Sequence, residues 1–157
     1  MTVFLDGEQI VSLTRGLISP KKQRGSFSID LTVRRIGLVA GGGALDFGGS
    51  EYRVASISAV IPEKRSPEEP YGWWNLSPGP YVMGFNESIA PEVAGLILIF
   101  PHSRLLAAGA FHPATTFDVL KQEDWVVLQV GSGGLAIKEN ARVSRAVVLA
   151  ETPKTIP

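Results

Sequence analysis

The sequence contains no cysteine and only two histidines in 157 residues. It therefore offers no disulfide framework, no thiolate nucleophile and no zinc site built on cysteine. His102 and His112 stand ten positions apart, which is not the spacing of a paired-histidine metal motif. This pattern favours packing and hydrogen bonding over metal binding for both imidazoles.

Charged side chains are also scarce, at 19% of the chain against a usual share of about 25%. Fifteen basic residues balance fifteen acidic ones, so the formal net charge is zero. No global field favours nucleic acid or an anionic membrane as a partner. A surface with so few charged residues is typical of a chain that buries part of its surface in an oligomer.

Long apolar runs are missing as well. The longest, around Val93 to Phe100 and Leu105 to Ala110, fall far short of the roughly 18 residues that cross a bilayer. The first residues carry acids and lack the basic segment and long apolar run of a signal peptide. We therefore expect a cytoplasmic protein, and the length predicts a single domain over residues 1–157.

Glycine and proline are abundant, with 17 and 11 residues, and they divide the chain into short segments rich in β-forming residues. In SFSIDLTVRRI, apolar positions 27, 29, 31 and 33 alternate with polar ones, which predicts a half-buried strand. IPEKRSPEEPYG is predicted to be an exposed loop. Further predicted strands lie in ALDF, EYRVASISAV, WWNLSPGPYVMGFNESI after its Pro-Gly turn, VAGLILIFP and ARVSRAVVLAE. WVVLQV and LAIKEN are predicted to pair as a hairpin around GSGG.

Two short helices are predicted. One lies in GEQIVSLTRGLI, capped by Asp6 or Gly7 and stopped at Gly16. The other lies in HSRLLAAGA, with Leu105 and Leu106 directed inward and Gly109 closing it. The spacing of strands and turns predicts an all-β sandwich, jelly roll or small barrel.

Acids stand at three junctions of predicted strands and turns: Asp30, Asp46 and Asp118. A carboxylate at such a place can hold a hard cation or activate water, although it is more often a turn or cap residue. In PHSRLL, the hydroxyl of Ser103 and the guanidinium of Arg104 outline an anion site. The alternative makes Ser103 a helix cap and Arg104 a solvated side chain.

Three aromatic residues lie in one loop: Tyr71, Trp73 and Trp74. Such a group can stack on a base. It equally suits a plug at the edge of a core or a subunit contact.

The segment PHSRLLAAGAFHPATTFD resembles the dUTPase and dCTP deaminase superfamily, particularly its archaeal members. Pro101, Ser103, Leu105 and Gly109 match the family motif P-R-S-S-L-x-x-x-G. QRGSFSIDLTV resembles the strand Q-P-x-x-V-D-L-x-V, and ARVSRAVVLAE resembles A-R-I-A-Q-L-V-F. LDGEQIVSLTRGLISP looks like the deaminase-type N-terminal helix.

The resemblance implies a dUTPase-like jelly-roll or β-barrel fold with a short N-terminal helix and one short helix after the PHS motif. It implies a homotrimer with sites for a pyrimidine deoxynucleoside triphosphate at the subunit interfaces, without nucleic acid or membrane. Mg²⁺ would be bound through the nucleotide phosphates rather than by direct protein ligands. A dUTPase cleaves dUTP to dUMP and pyrophosphate, whereas the deaminase converts dCTP to dUTP with a glutamate and water.

Carried over residue by residue, the resemblance makes Asp118 the acid that orients the attacking water. It assigns substrate or phosphate contacts to a set of motif positions: His102, Ser103, Arg104, Arg145 and Gln129. Asp30 and Gly109 take supporting roles.

The chain departs from the family at several of these positions. His102 replaces the motif arginine, Arg104 the second serine and Arg145 the late glutamine, and VLKQED replaces the G-Y-x-G or G-F-x-G after Asp118. The deaminase glutamate falls on Gln129, whose amide cannot shuttle a proton; Glu123 or Asp124 would serve only if the alignment slips. We therefore expect dUTP hydrolysis, with two alternatives: a dCTP deaminase, or a non-catalytic homotrimer that binds a nucleotide or a protein.

Overall fold

Short strands and tight turns make up most of the residues that the computed structural model describes, 1–91 and 95–151. Within those ranges the helices are α1 (Gly7–Ser12), α2 (Pro20–Gln23) and α3 (Ser103–Ala107). The strands are β1 (Thr2–Phe4), β2 (Thr14–Arg15), β3 (Ile29–Gly41), β4 (Ser56–Val60), β5 (Trp73–Leu76), β6 (Gly79–Phe85), β7 (Ser88–Ile89), β8 (Gly95–Pro101), β9 (Ala110–Phe111), β10 (Thr115–Phe117), β11 (Val126–Val130), β12 (Leu135–Lys138) and β13 (Arg142–Glu151).

One antiparallel sheet forms the body of the fold. Its strands follow the order β10-β8-β13-β3-β6-β11-β9, with β1 added to β13 and β4 added to β3. Two small ladders, β12 with β5 and β2 with β7, complete the described strands. The sheet encloses an apolar core to which β3, β6, β8, β11 and β13 all contribute. The predicted all-β fold is confirmed, and both predicted short helices are found, as α1 and α3; α2 was not predicted.

The N-terminal helix begins where the sequence predicts but ends earlier. Asp6 and Gln9 form a reciprocal capping box, in which each side chain accepts the other's backbone N–H. The helix stops at Ser12 rather than near Gly16, because Thr14 and Arg15 pair with β7 as strand β2.

Strand β3 is not half-buried at its start. Residues Ile29 to Val33 are all buried, including Asp30 and Thr32 on the polar face, whereas Phe27 is exposed. The prediction of a half-buried strand is therefore wrong for this part of β3, because other polar groups of the fold cover its polar face.

Two further local predictions are wrong. The strands predicted in ALDF and EYRV are replaced by a loop with one bridge between Ala44 and Arg53, in which the Asp46 carboxylate accepts the N–H groups of Gly49 and Glu51. Asp46 is thus a turn residue. The strands on either side of GSGG do not form a hairpin, because β11 pairs with β6 and β9 while β12 pairs with β5.

The remaining predicted elements are found. Residues 61–72 form an exposed loop outside the main strands, and the apolar run forms β8 from Gly95 onward, with Val93 outside the described residues. In α3, Leu105 is buried but Leu106 is half exposed, contrary to prediction, since a helix of five residues has only one face against the core. None of the described helices is long and apolar enough to cross a membrane.

Candidate functional site

Strand register brings several of the singled-out residues together at one end of β13. Arg145 lies opposite Asp30 of β3, and Arg142 lies opposite Thr32. Residues three apart in a regular strand point to opposite faces. The irregularity between Arg142 and Ser144 inserts one extra residue into β13, so both arginines reach the face that carries Asp30.

We call Asp30, His102, Arg142 and Arg145 the Asp30 cluster. Asp30 Oδ1 accepts from Arg145 Nε at 3.3 Å, and Oδ2 accepts from Arg142 Nη1 at 3.3 Å. The Nε2 of His102 lies 3.4 Å from Oδ2. The Asp30 side chain is 11% exposed, against 33% for Arg142 and 46% for Arg145. One buried carboxylate thus holds two cations whose outer edges remain in solvent.

The His102 ring faces inward on both of its nitrogens. Nδ1 accepts the backbone N–H of Arg104 at 3.0 Å, which caps α3 and assigns the ring proton of the neutral form to Nε2, facing Asp30. Burial lowers the pKa of His102; Asp30 opposes that shift, while Arg145 and Arg104 reinforce it. His102 is therefore a neutral cap that orients Asp30, and its contact with phosphate stays a prediction.

Ser103 and Arg104 begin α3, and both are exposed. The helix is closed by Gly109, whose φ of +98° suits glycine. The Gly109 carbonyl accepts the N–H of Gly131, which ties the end of α3 to the turn between β11 and β12. The hydroxyl and guanidinium predicted to bind an anion are thus accessible and stand on a supported turn.

Asp118 lies far from these groups within one chain. It follows β10, which runs antiparallel to β8 with Phe117 opposite Ile97. Asp118 therefore lies at the Gly95 end of β8, whereas His102 follows its Pro101 end. At the usual strand rise, five to six residues separate the two by on the order of 15–20 Å. Asp118 is exposed and makes no hydrogen bond or ion pair with any residue in the described ranges.

Gln129 occupies a third position. It lies in β11 opposite Phe111 on one side and Pro80 on the other, and it is partly exposed. One chain therefore brings Asp30, His102, Arg104 and Arg145 together around the start of α3 but does not bring Asp118 or Gln129 into hydrogen-bond contact with them.

A buried polar network behind Asp30 escaped the sequence analysis. Glu87 is fully buried and accepts from Gln23 Nε2 at 2.8 Å, from the Thr32 N–H at 2.9 Å and from the Thr32 hydroxyl. Gln23 Nε2 also donates to the Asp30 carbonyl at 2.9 Å. Burial raises the pKa of Glu87, and these hydrogen bonds oppose the shift. The only sequence signal was an acid in FNESI, at the end of a segment predicted as a strand.

The second histidine lies outside the cluster. His112 Nδ1 donates to the Pro113 carbonyl at 2.8 Å, and Nε2 accepts from the Ser144 hydroxyl at 2.9 Å. Burial lowers its pKa. The prediction that the histidines pack and hydrogen-bond is confirmed, and the described residues contain no group of three or more acids or histidines that could hold a metal ion.

The aromatic loop divides between two roles. Trp74 is buried in the core and donates its indole N–H to the Val60 carbonyl at 2.8 Å. Trp73 is partly exposed, and the guanidinium of Arg65 lies over its ring, 3.6 Å from the ring centre. The core role is confirmed for Trp74.

Comparison with known proteins gives both a sequence and a fold relationship. No family model matches the chain. Two curated relatives are each named probable deoxyuridine 5'-triphosphate nucleotidohydrolase. The one from Methanosarcina mazei is 26% identical over 117 residues, and the one from Methanosarcina acetivorans is 28% identical over 118. Each alignment covers 73% of this chain and 65% of the relative, so the chain spans less than two thirds of their length.

A solved structure extends the fold relationship to nearly the whole chain. The crystal structure of 2'-deoxycytidine 5'-triphosphate deaminase from Agrobacterium tumefaciens superposes with a TM-score of 0.64 at 16% sequence identity. The match covers 96% of this chain and 49% of that one. At this identity it shows a shared fold.

Proposed function

We propose that this chain is a member of the dUTPase and dCTP deaminase superfamily and that it hydrolyses dUTP to dUMP and pyrophosphate. The observation that carries the proposal is the Asp30 cluster beside the exposed turn of Ser103 and Arg104. It presents guanidinium edges held in fixed orientation by a buried carboxylate, which suits a polyphosphate. Two curated relatives named as probable dUTPases support the choice of substrate.

The phosphate contacts follow from exposure and chemistry. Arg145 keeps nearly half of its side chain in solvent while its Nε is bound to Asp30. Its remaining N–H groups, together with those of Arg104 and the Ser103 hydroxyl, would bind phosphate oxygens. These donors stabilise the negative charge that grows on the phosphates in the transition state.

Asp118 would position and deprotonate the attacking water. The water oxygen bonds to the α-phosphorus as the bond from that phosphorus to the α–β bridging oxygen breaks, and pyrophosphate leaves with the bond electrons. The water proton passes to the Asp118 carboxylate and then to solvent. Because Asp118 is exposed and unpaired among the described residues, its oxygens are available for this role.

Mg²⁺ would be bound through phosphate oxygens. Oxygen atoms are the ligands that Mg²⁺ prefers. When bound, the ion neutralises phosphate charge.

The distance along β8 implies that the site is completed between copies of the chain. With the Asp30 cluster and Asp118 at opposite ends of β8, one copy would contribute the phosphate contacts and its neighbour the Asp118 carboxylate. A cyclic homotrimer repeats this head-to-tail contact three times.

A complementation experiment tests the shared site. Arg145→Ala and Asp118→Asn are each expected to abolish hydrolysis alone. When the two variants are co-expressed and assemble at random, about a quarter of the sites combine two intact halves and about a quarter of the wild-type activity should return. No recovery, in mixed trimers verified by two affinity tags, would contradict a site shared between copies.

A second candidate is dCTP deamination. It is favoured by the fold match to a dCTP deaminase across 96% of this chain, and it is opposed by the amide of Gln129, which cannot accept and release a proton as a glutamate does. A non-catalytic trimer remains the third reading, because the segment after Asp118 departs from the family motif.

Product analysis separates the three functions. Purified protein is incubated with dUTP or dCTP, with and without Mg²⁺, and the products are resolved by chromatography. We expect dUMP and pyrophosphate from dUTP, lost in Asp118→Asn and retained in Glu123→Gln, an exposed acid of the same segment. Formation of dUTP from dCTP would favour the deaminase, and no turnover by folded protein would favour the binding trimer.

A further inference from the structure

A cavity of about 400 Å³ opens beside α3, between β12 and the start of β13. Its wall includes Trp73 of β5, and its floor is apolar and largely buried, formed by Leu105, Ile137 and Val143. The volume lies within the range of small-molecule sites, roughly 300–1,000 Å³. Asp118 is not among its lining residues. We call it the α3 cavity.

The charge around the α3 cavity has one sign. Arg104, Lys138 and Arg142 line it and no acidic residue does, although the chain as a whole has no net charge. Arg142 is paired with Asp30. Arg104 and Lys138 make no ion pair with any residue in ranges 1–91 and 95–151. Two cations that no described carboxylate neutralises, above an apolar floor, suit a ligand with an anionic group and an apolar body.

The wall also carries an aromatic ring, that of Trp73. Its Nε1 is buried and, like Glu69 Oε2, has no hydrogen-bond partner among the described residues. Lys138 Nζ lies 5.6 Å from the Trp73 ring centre, so the cation and the indole belong to the same wall.

We infer that the α3 cavity binds a small planar organic anion. Its anionic group would lie against Arg104 and Lys138, and its ring would pack on the apolar floor beside Trp73. This site is additional to the hydrolytic site at Asp118. Arg104 and Arg142 border both sites, so the tests use Lys138 and Trp73, which have no part in the proposed hydrolysis.

The experiment uses 1-naphthyl phosphate as the probe, with indole ¹H–¹⁵N resonances as the readout. The three tryptophans give three such signals, and loss of one in Trp73→Phe assigns it. We expect saturable shifts of the Trp73 signal, with Trp125 unmoved. Neutral 1-naphthol and inorganic phosphate should each bind at least about tenfold more weakly than the probe. The first lacks the anionic group, and the second lacks the ring.

Variants decide whether the cations carry the binding. Lys138→Ala, with Lys138→Gln as a second choice if the first does not fold, should weaken the probe about tenfold and leave dUTP hydrolysis unchanged. Lys121→Ala, an exposed lysine outside the α3 cavity, should leave the affinity unchanged. Equal affinity for 1-naphthol, no effect of Lys138→Ala, or no shift of Trp73 would each overturn the inference. Probe binding without dUTP hydrolysis would defeat only the proposed function, and hydrolysis without probe binding only this inference.

Discussion

The two ends of strand β8 differ in how their charged residues are held. At the Pro101 end, Asp30 is bound by two arginines and faces a histidine, and a buried glutamine fixes its backbone. At the Gly95 end, Asp118 is exposed and has no partner among the described residues. A carboxylate held by the fold contributes to stability whether or not a ligand is bound. A carboxylate without a partner contributes only when a ligand is bound. Substitutions at the Pro101 end should therefore lower stability, and substitution of Asp118 at the Gly95 end should lower activity alone.

The largest loss of stability is expected behind the Pro101 end, at Glu87. In Glu87→Gln the new amide nitrogen faces a donor in either orientation, Gln23 Nε2 or the Thr32 N–H. We expect a loss of about 2–3 kcal/mol in the free energy of unfolding, measured by urea denaturation. The exposed Glu123→Gln should change it by less than about 0.5 kcal/mol.

The pH dependence sharpens this prediction. Because the folded pKa of Glu87 is raised above its ordinary value of 4.5, the folded state binds the proton more tightly than the unfolded one. The Glu87 contribution to stability is therefore present at low pH and is lost as pH rises through the raised pKa. Glu87→Gln should lack this component; an identical pH profile in both proteins would mean that the fold leaves the pKa of Glu87 unshifted.

The next largest effect is expected at Asp30. Asp30→Asn removes the charge that holds Arg142 and Arg145, but both guanidinium groups can turn toward solvent, so we expect a loss of about 2 kcal/mol rather than more. Activity should fall as well, because Arg145 loses its orientation. The matched control is Glu8→Gln, which breaks the exposed pair of Glu8 with Arg24 and should cost less than about 0.5 kcal/mol. Equal losses at the two positions would contradict a special role for the cluster.

A smaller effect is expected from acidification. Burial lowers the pKa of His112 below its ordinary 6.5, so the unfolded chain takes up a proton first as pH falls. Stability should therefore decline below pH 6.5. His112→Asn should be about 1 kcal/mol less stable than wild type at pH 7, and the gap should narrow by pH 5. A constant gap would mean that His112 keeps its ordinary pKa. His102, whose pKa is lowered in the same way, should add to the decline.

The sequence predicted local features better than pairing. Three predicted features depend only on residues close together in the chain, and the structure contains all of them. They are the helix cap at Asp6, the closing glycine after α3 and the long apolar strands. The GSGG hairpin failed because the partner of β12 is β5, some sixty residues earlier in the chain. Non-local pairing depends on which surfaces the rest of the fold leaves open, and local glycines carry no information about that.

The candidate site was predicted in its residues but not in its arrangement. The PHS motif identified His102 and Arg104, yet only the extra residue in β13 explains why Arg142 joins Arg145 at Asp30. Glu87 escaped because a buried acid is recognisable only by the donors around it, which come from distant positions such as Gln23. Nor could sequence spacing show that Asp118 lies at the other end of β8.

The smallest effect on stability is expected at the Gly95 end, from Asp118→Asn. Since the carboxylate contacts no described residue, the free energy of unfolding should change by less than about 0.5 kcal/mol, while dUTP hydrolysis should fall by about 10²–10⁴-fold through loss of the base. Urea denaturation and product release measured on the same preparation check both halves. A destabilised variant would mean that Asp118 is held by the fold like Asp30, and a stable, fully active one would remove it from the mechanism. A loss of activity on this scale at unchanged stability is the result that a free carboxylate requires.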